Sequence, residues 1–142
     1  MPTMKGRAHA TIARPAADIW ALIGKFDDIS WIPGSEQARA TMDGNIRSVT
    51  RDAWNFALVQ RLTEHDDARF TYTYDVPYEI SFESLIGPGK FARTINGTLT
   101  VTPTGPDTSE VTWDLEAEDF LFPGAFKEYQ FALDTVKARL EG

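Results

Sequence analysis

From residue 35 to residue 118 the chain repeats one pattern: short segments in which apolar and polar residues alternate, parted by turn residues. Alternation at a period of two puts every second side chain on one face of a strand. Residues 69–76 show it most clearly, with Phe70, Tyr72, Tyr74 and Val76 set against Thr71, Thr73 and Asp75. Residues 109–118 set Val111, Trp113, Leu115 and Ala117 against Thr112, Asp114, Glu116 and Glu118. Residues 91–102 set Arg93, Ile95, Gly97, Leu99 and Val101 against a threonine-rich face. Residues 35–42 group Glu36 with Ala38, Ala40 and Met42, and residues 56–64 group Gln60 with Leu58 and Leu62. Residues 46–53 read as a polar strand between them. Asp43-Gly44-Asn45, Trp54-Asn55, His65-Asp66-Asp67 and residues 103–107 are turns by composition. Residues 77–90 carry Pro77 and Gly87-Pro88-Gly89, with room for a strand over 79–85. Consecutive alternating strands on short turns predict an antiparallel sheet with one dry face.

A dry face needs a cover, and the chain has helices at its two ends to provide it. Over residues 123–140, Phe126, Tyr129, Leu133, Val136 and Leu140 recur at steps of three and four. That is one face of a helix, with Lys127, Glu128, Gln130, Asp134, Lys137 and Arg139 on much of the other. Pro123 suits the first helical position and Gly142 the stop. Phe131 lies off the stripe, and the sequence offers no reason for it. Near the N-terminus, residues 5–13 alternate as a half-buried strand. Pro15 then opens a helix with Ile19, Leu22, Ile23 and Phe26 inward; Trp20 falls off that stripe and is expected at the outer rim. Asp27-Asp28 break the helix, residues 29–32 add one short turn, and Pro33-Gly34 end all helix. The expected class is α+β, one domain over residues 1–142. A curved antiparallel sheet of about six to seven strands wraps a long C-terminal helix, with two short helices after the first strand. Sheets twist and coil, and one wrapped on a single helix leaves space for a ligand at one end.

Composition narrows the function. Fourteen Lys and Arg against 21 Asp and Glu give a net charge of −7 with no basic cluster, so nucleic acid is not an expected partner. There is no cysteine, which removes disulfides, thiolate catalysis and thiolate metal sites. No run approaches the roughly 18 apolar residues of a membrane span, and residues 1–13 lack a signal peptide's apolar stretch. The expectation is a cytoplasmic protein without integral membrane association, monomeric or homodimeric. His9 lies on a polar strand face and His65 in a turn, so neither a metal site nor a Ser-His-Asp arrangement is expected. No phosphate loop or dinucleotide fingerprint occurs, and no cofactor is expected.

Several short motifs occur in a telling order: Pro15-x-x-x-Ile19-Trp20, Phe26-Asp27, Trp31-x-Pro33, Gln60-Arg61-Leu62, Asp66-Asp67 before Tyr72 and Tyr74, residues 98–103, and Val111-Thr112-Trp113. This ordered set resembles the START and birch-pollen-allergen-like (SRPBCC) superfamily, in particular its bacterial polyketide cyclase/dehydrase and lipid-transport branch. The resemblance spans nearly the whole chain and implies a helix-grip fold around an apolar pocket. It also implies that positions 36 and 60 line that pocket, although the family often carries Glu where this chain has Gln60.

The candidate ligand-binding residues are Glu36, Gln60, Tyr72, Tyr74, Arg93, Trp113, Phe126 and Tyr129. Tyrosine offers an apolar body and a hydroxyl that needs a partner when buried. A carboxylate among apolar neighbours, as at Glu36, is a candidate for general acid–base work, against the plainer reading of a strand-end residue reaching water. An inward Arg93 would neutralise an anionic head group or an enolate; outward it would do neither. The leading expectation is binding of a small hydrophobic molecule (a lipid, sterol-like or polyketide-type aromatic compound) in an internal cavity. The alternative is a cyclase, dehydratase or isomerase acting on a carbonyl compound there, with no catalytic residue assigned. An adaptor using Phe120, Leu121 and Phe122 as an exposed surface is a third reading.

Overall fold

The structure is a computed structural model describing residues 2–142. Strand β1 (Thr3–Ile12) leads into helix α1 (Ala16–Ile23), and a 3-10 turn (Ser35–Gln37) precedes β2 (Ala38–Asp43). Then come β3 (Ile46–Arg51), β4 (Leu58–Asp66), β5 (Thr71–Asp75), the two-residue strands β6 (Ile80–Ser81) and β7 (Phe91–Ala92), β8 (Ile95–Gly105) and β9 (Thr108–Glu118). Helix α2 (Phe122–Glu141) ends the chain. Seven strands form one antiparallel sheet in the order β1-β9-β8-β5-β4-β3-β2, and β6 pairs with β7 in a separate ribbon.

The alternation in sequence becomes burial. Ala8, Ala10 and Ile12 of β1 face the same interior as Val111, Trp113 and Leu115 of β9. Two buried groups fill the concave side. One joins Ile19, Ile23 and Phe26 to Tyr72, Tyr74, Leu99, Trp113, Leu133 and Val136. The other, at the opposite end, joins Val76, Ile80, Phe82, Ala92, Leu115 and Phe122. Phe126 and Tyr129 of α2 touch both.

Helix α2 lies along the sheet's edge strand and hydrogen-bonds its backbone. The Gln130 amide accepts from His9 N–H (3.1 Å) and donates to the His9 carbonyl (2.8 Å). Lys137 donates to the Thr11 carbonyl, and Glu141 accepts from Ala13 N–H. Side chains thereby meet backbone groups that this edge strand leaves unpaired at His9 and Thr11.

Several segments differ from expectation for local reasons. Residues 29–32 make the expected short turn, closed by the Ile32 N–H on the Ile29 carbonyl at 2.9 Å, but not a second short helix. The short helical piece is the 3-10 turn at 35–37, entered through Gly34 at φ 87°, a left-handed conformation that glycine adopts without strain. β4 runs on through His65 and Asp66, because a bulge between Leu62 and Glu64 shifts its register. Phe70 belongs to the following turn at φ 53°. The excursion after β5 becomes the β6–β7 ribbon, so residues 91–92 do not belong to β8. Trp20 is buried rather than covering an outer rim, packed on Phe70 and Tyr72 with its indole N–H donating to Asp67. Phe122 is buried and Phe120 and Leu121 are half-buried in the second group, so that segment is core and not an adaptor surface.

Candidate functional site

The interior of the sheet carries one concentrated set of polar groups. Arg47 on β3 stands opposite Gln60 on β4, and both point inward, at 5% and 4% exposure. The Gln60 side-chain carbonyl accepts from Arg47 Nε (3.0 Å) and Nη2, and the Phe26 backbone carbonyl accepts from Nη1 (2.7 Å). The guanidinium also lies 4.0 Å over the Phe26 ring, an attraction between cation and aromatic face. On β5, Tyr72 and Tyr74 follow each other on the same face, each about 1% exposed. Trp113 on β9 donates its indole N–H to the Tyr74 hydroxyl at 3.2 Å, and Tyr74 and Tyr129 of α2 are hydroxyl-to-hydroxyl partners. The Tyr129 ring stacks on Trp113 with centroids 3.7 Å apart, and Trp31 packs on the same indole at 5.3 Å.

Local sequence explains why these groups converge. The period of two on β5 places both tyrosines on the dry face. Gly97 lies directly across from Tyr74 on β8, and a Cβ there would run into the Tyr74 ring. Tyr129 projects from the apolar stripe of α2.

Burial sets the charge states. It pushes the Tyr72 and Tyr74 hydroxyls far above a free phenol, with the Arg47 cation pulling part of the way back. Burial likewise raises Tyr129 to about 12, against the hydrogen bond from Tyr74, which favours ionisation. All three therefore stay neutral at physiological pH. Among the described residues, no hydrogen bond or ion pair joins a carboxylate to the cluster. One guanidinium, three neutral phenols, an indole N–H and one amide make a donor-rich site, suited to a ligand oxygen that accepts.

Six of the eight expected residues meet here or beside it: Gln60, Tyr72, Tyr74, Trp113, Tyr129 and the half-buried Phe126. Glu36 does not; it is exposed on the 3-10 turn that the Gly34 backbone starts, outside the alternation of β2. Arg93 does not either. It points outward, forms an ion pair with Glu79 at 2.8 Å and lines a shallow surface groove of about 430 Å³ with Thr94 and Glu118. The residue that sequence reading missed is Arg47, hidden in a strand whose alternation is mostly polar. His65 is more than a turn residue: its ring meets Trp20 and Tyr72 edge-on, and its Nε2 lies 3.0 Å from Asp67. Among the described residues no cluster of metal-ligating side chains occurs, and no helix is long and apolar enough to cross a membrane.

Over residues 3–141 the sequence matches the profile of a family described as polyketide cyclase / dehydrase and lipid transport. No curated protein matches significantly. The fold is similar to a protein from Bacillus thuringiensis, with a TM-score of 0.76 at 18% identity, covering 98% of this chain and 100% of that one. It is similar to the ZhuI aromatase/cyclase from a Streptomyces species (TM-score 0.69, 13% identity, 99% and 94% covered). It is also similar to norcoclaurine synthase from Thalictrum flavum, solved with dopamine and hydroxybenzaldehyde (TM-score 0.65, 17% identity, 99% and 88% covered).

Proposed function

Because this chain belongs to the polyketide cyclase/dehydrase and lipid-transport family, we propose that it binds a small, largely apolar molecule between the concave sheet face and α2. The observation carrying this reading is the convergence of Arg47, Gln60, Tyr72, Tyr74, Tyr129 and the Trp113 N–H inside an otherwise apolar core. Desolvating so many polar groups costs stability that apolar residues of the same volume would not. A binding site gives them a reason: a few placed donors orient a ligand whose apolar body drives binding at about 25 cal/mol per Å² buried. The ligand oxygen takes up hydrogen bonds that the cluster's members otherwise make to one another.

A second reading has its own support. Three phenols held neutral beside a guanidinium are placed to steady an oxyanion as it develops. That suits a cyclase, dehydratase or isomerase step on a carbonyl compound. Such a step also needs a base, and the cluster has no carboxylate among its hydrogen-bond partners, so binding is the stronger reading.

Native mass spectrometry of the protein purified from its own host tests both. Binding predicts a bound molecule of mostly apolar character that is lost in Arg47→Met. Recovery of that molecule altered in composition after incubation means turnover. A bare-mass protein whose Trp emission also ignores apolar probes overturns the proposal.

A further inference from the structure

Arg51 closes the same strand face that carries Arg47 and Val49, at the end of β3. Its Nε–H is sealed from water and has no hydrogen-bond partner among the described residues. None of the ion pairs among the described residues includes it. The guanidinium lies 4.9 Å from the centre of the Trp54 ring, and its Nη2 approaches the Gly34 turn. Trp54 stacks on Phe56 (4.9 Å between centroids), Phe56 meets Phe82, and Phe82 meets Phe120. An arginine without a counter-ion thus stands at the head of an aromatic row leading into the second buried group.

The chain shows elsewhere what its arginines do with these atoms. Arg7 grips Asp114 through Nε and Nη2 at 2.7 and 3.0 Å, and Arg61 grips Asp75 the same way at 2.9 and 2.7 Å. This side-on fork matches the two oxygens of a carboxylate. In Arg51 the Nε that completes the fork has no partner among the described residues. The acidic composition makes this pointed, since 21 carboxylates are present and none pairs with it. We propose that Arg51 is the anchor for a carboxylate carried by the ligand, so that this protein selects apolar monoacids over their neutral counterparts. The proposal rests on the binding reading above. The planar fork of a guanidinium matches a planar, singly charged carboxylate. Trp54 and the aromatic row contact the apolar part next to the acid.

The test uses two matched probe pairs, 2-naphthoate with 2-naphthamide and dodecanoate with dodecanamide, titrated calorimetrically into the full-length protein near neutral pH. Wild type is expected to bind the acid of at least one pair 10-fold or more tighter than its amide. Arg51→Gln should abolish that preference and leave the amide's affinity unchanged, and Arg51→Lys, which keeps the charge and loses the fork, should recover only part of it. Circular dichroism should find both variants as folded as wild type. Equal binding of acid and amide by wild type, or a preference that survives in Arg51→Gln, overturns the anchor and leaves the binding proposal standing. If neither pair binds at all, the binding proposal fails and the anchor with it.

Discussion

Arg47 is buried among neutral acceptors, and this makes its contribution separable from that of its neighbours. Gln60→Leu alone strips two charge-assisted hydrogen bonds from the guanidinium and should cost about 1.5–3 kcal/mol. Arg47→Met with Gln60→Leu replaces the whole pair by apolar groups and should regain most of that loss, while abolishing ligand binding. Urea denaturation of the two variants beside wild type measures it. A double variant less stable than Gln60→Leu would make the pair a structural brace. Tyr74→Phe should cost about 1–3 kcal/mol by leaving the Trp113 N–H buried without its acceptor. The tyrosines were legible in the sequence because β5 alternates without interruption. Arg47 was not, because a polar inward residue on a polar strand breaks no pattern. A usable signal was its parity: Arg47 shares a face of β3 with Val49, and that face pairs with Leu58 and Gln60 of β4.

Among the elements, β8 and β9 do most to position the cluster. Gly97→Ala puts a methyl where the Tyr74 ring lies. It should destabilise by about 1–3 kcal/mol, as overpacking does, and weaken ligand binding by moving the Tyr74 hydroxyl; thermal melts and the native mass assay check the two effects. At the end of β9, buried Glu118 accepts from the backbone N–H groups of Arg93 and Thr94. Glu118→Ala should speed hydrogen exchange at those two amides and across the β6–β7 ribbon while β1 remains protected. This carboxylate explains why β7 and β8 are separate strands where continuous alternation predicted one: the chain bends at Arg93-Thr94 to meet it, and Arg93 is turned outward. The Glu36 expectation failed similarly, because the Gly34 turn begins a 3-10 winding that delays β2. Binary alternation gives the faces of strands well. It cannot register a bulge, such as the one in β4 that sets the exposed His65 against the edges of Trp20 and Tyr72, because there the period itself slips.

Across the molecule, the three interior phenols tie stability to alkaline pH. Folding raises their pKa above the roughly 10 of an unfolded tyrosine, so the folded state favours the protonated form. That contribution is complete below about pH 10 and falls as pH rises through the folded values, of which Tyr129's is about 12. Absorbance at 295 nm should therefore show these phenols ionising together with unfolding, whereas three independent transitions near pH 10 would contradict their burial. The architecture at this scale was the most legible part, since the seven-stranded antiparallel sheet and the closing helix follow from periodicity and short turns, while the β6–β7 ribbon does not.

The grip of α2 on β1 has one more result. Gln130, Lys137 and Glu141 occupy donors and acceptors that a foreign strand would need at that margin. At the other margin β2 has only β3 as a strand neighbour. Two molecules joined β2 to β2 would make one continuous sheet with an α2 rod lying along each outer strand. Strand addition at these two margins would therefore halt at two copies, since the outer strand of each is already gripped by its own helix.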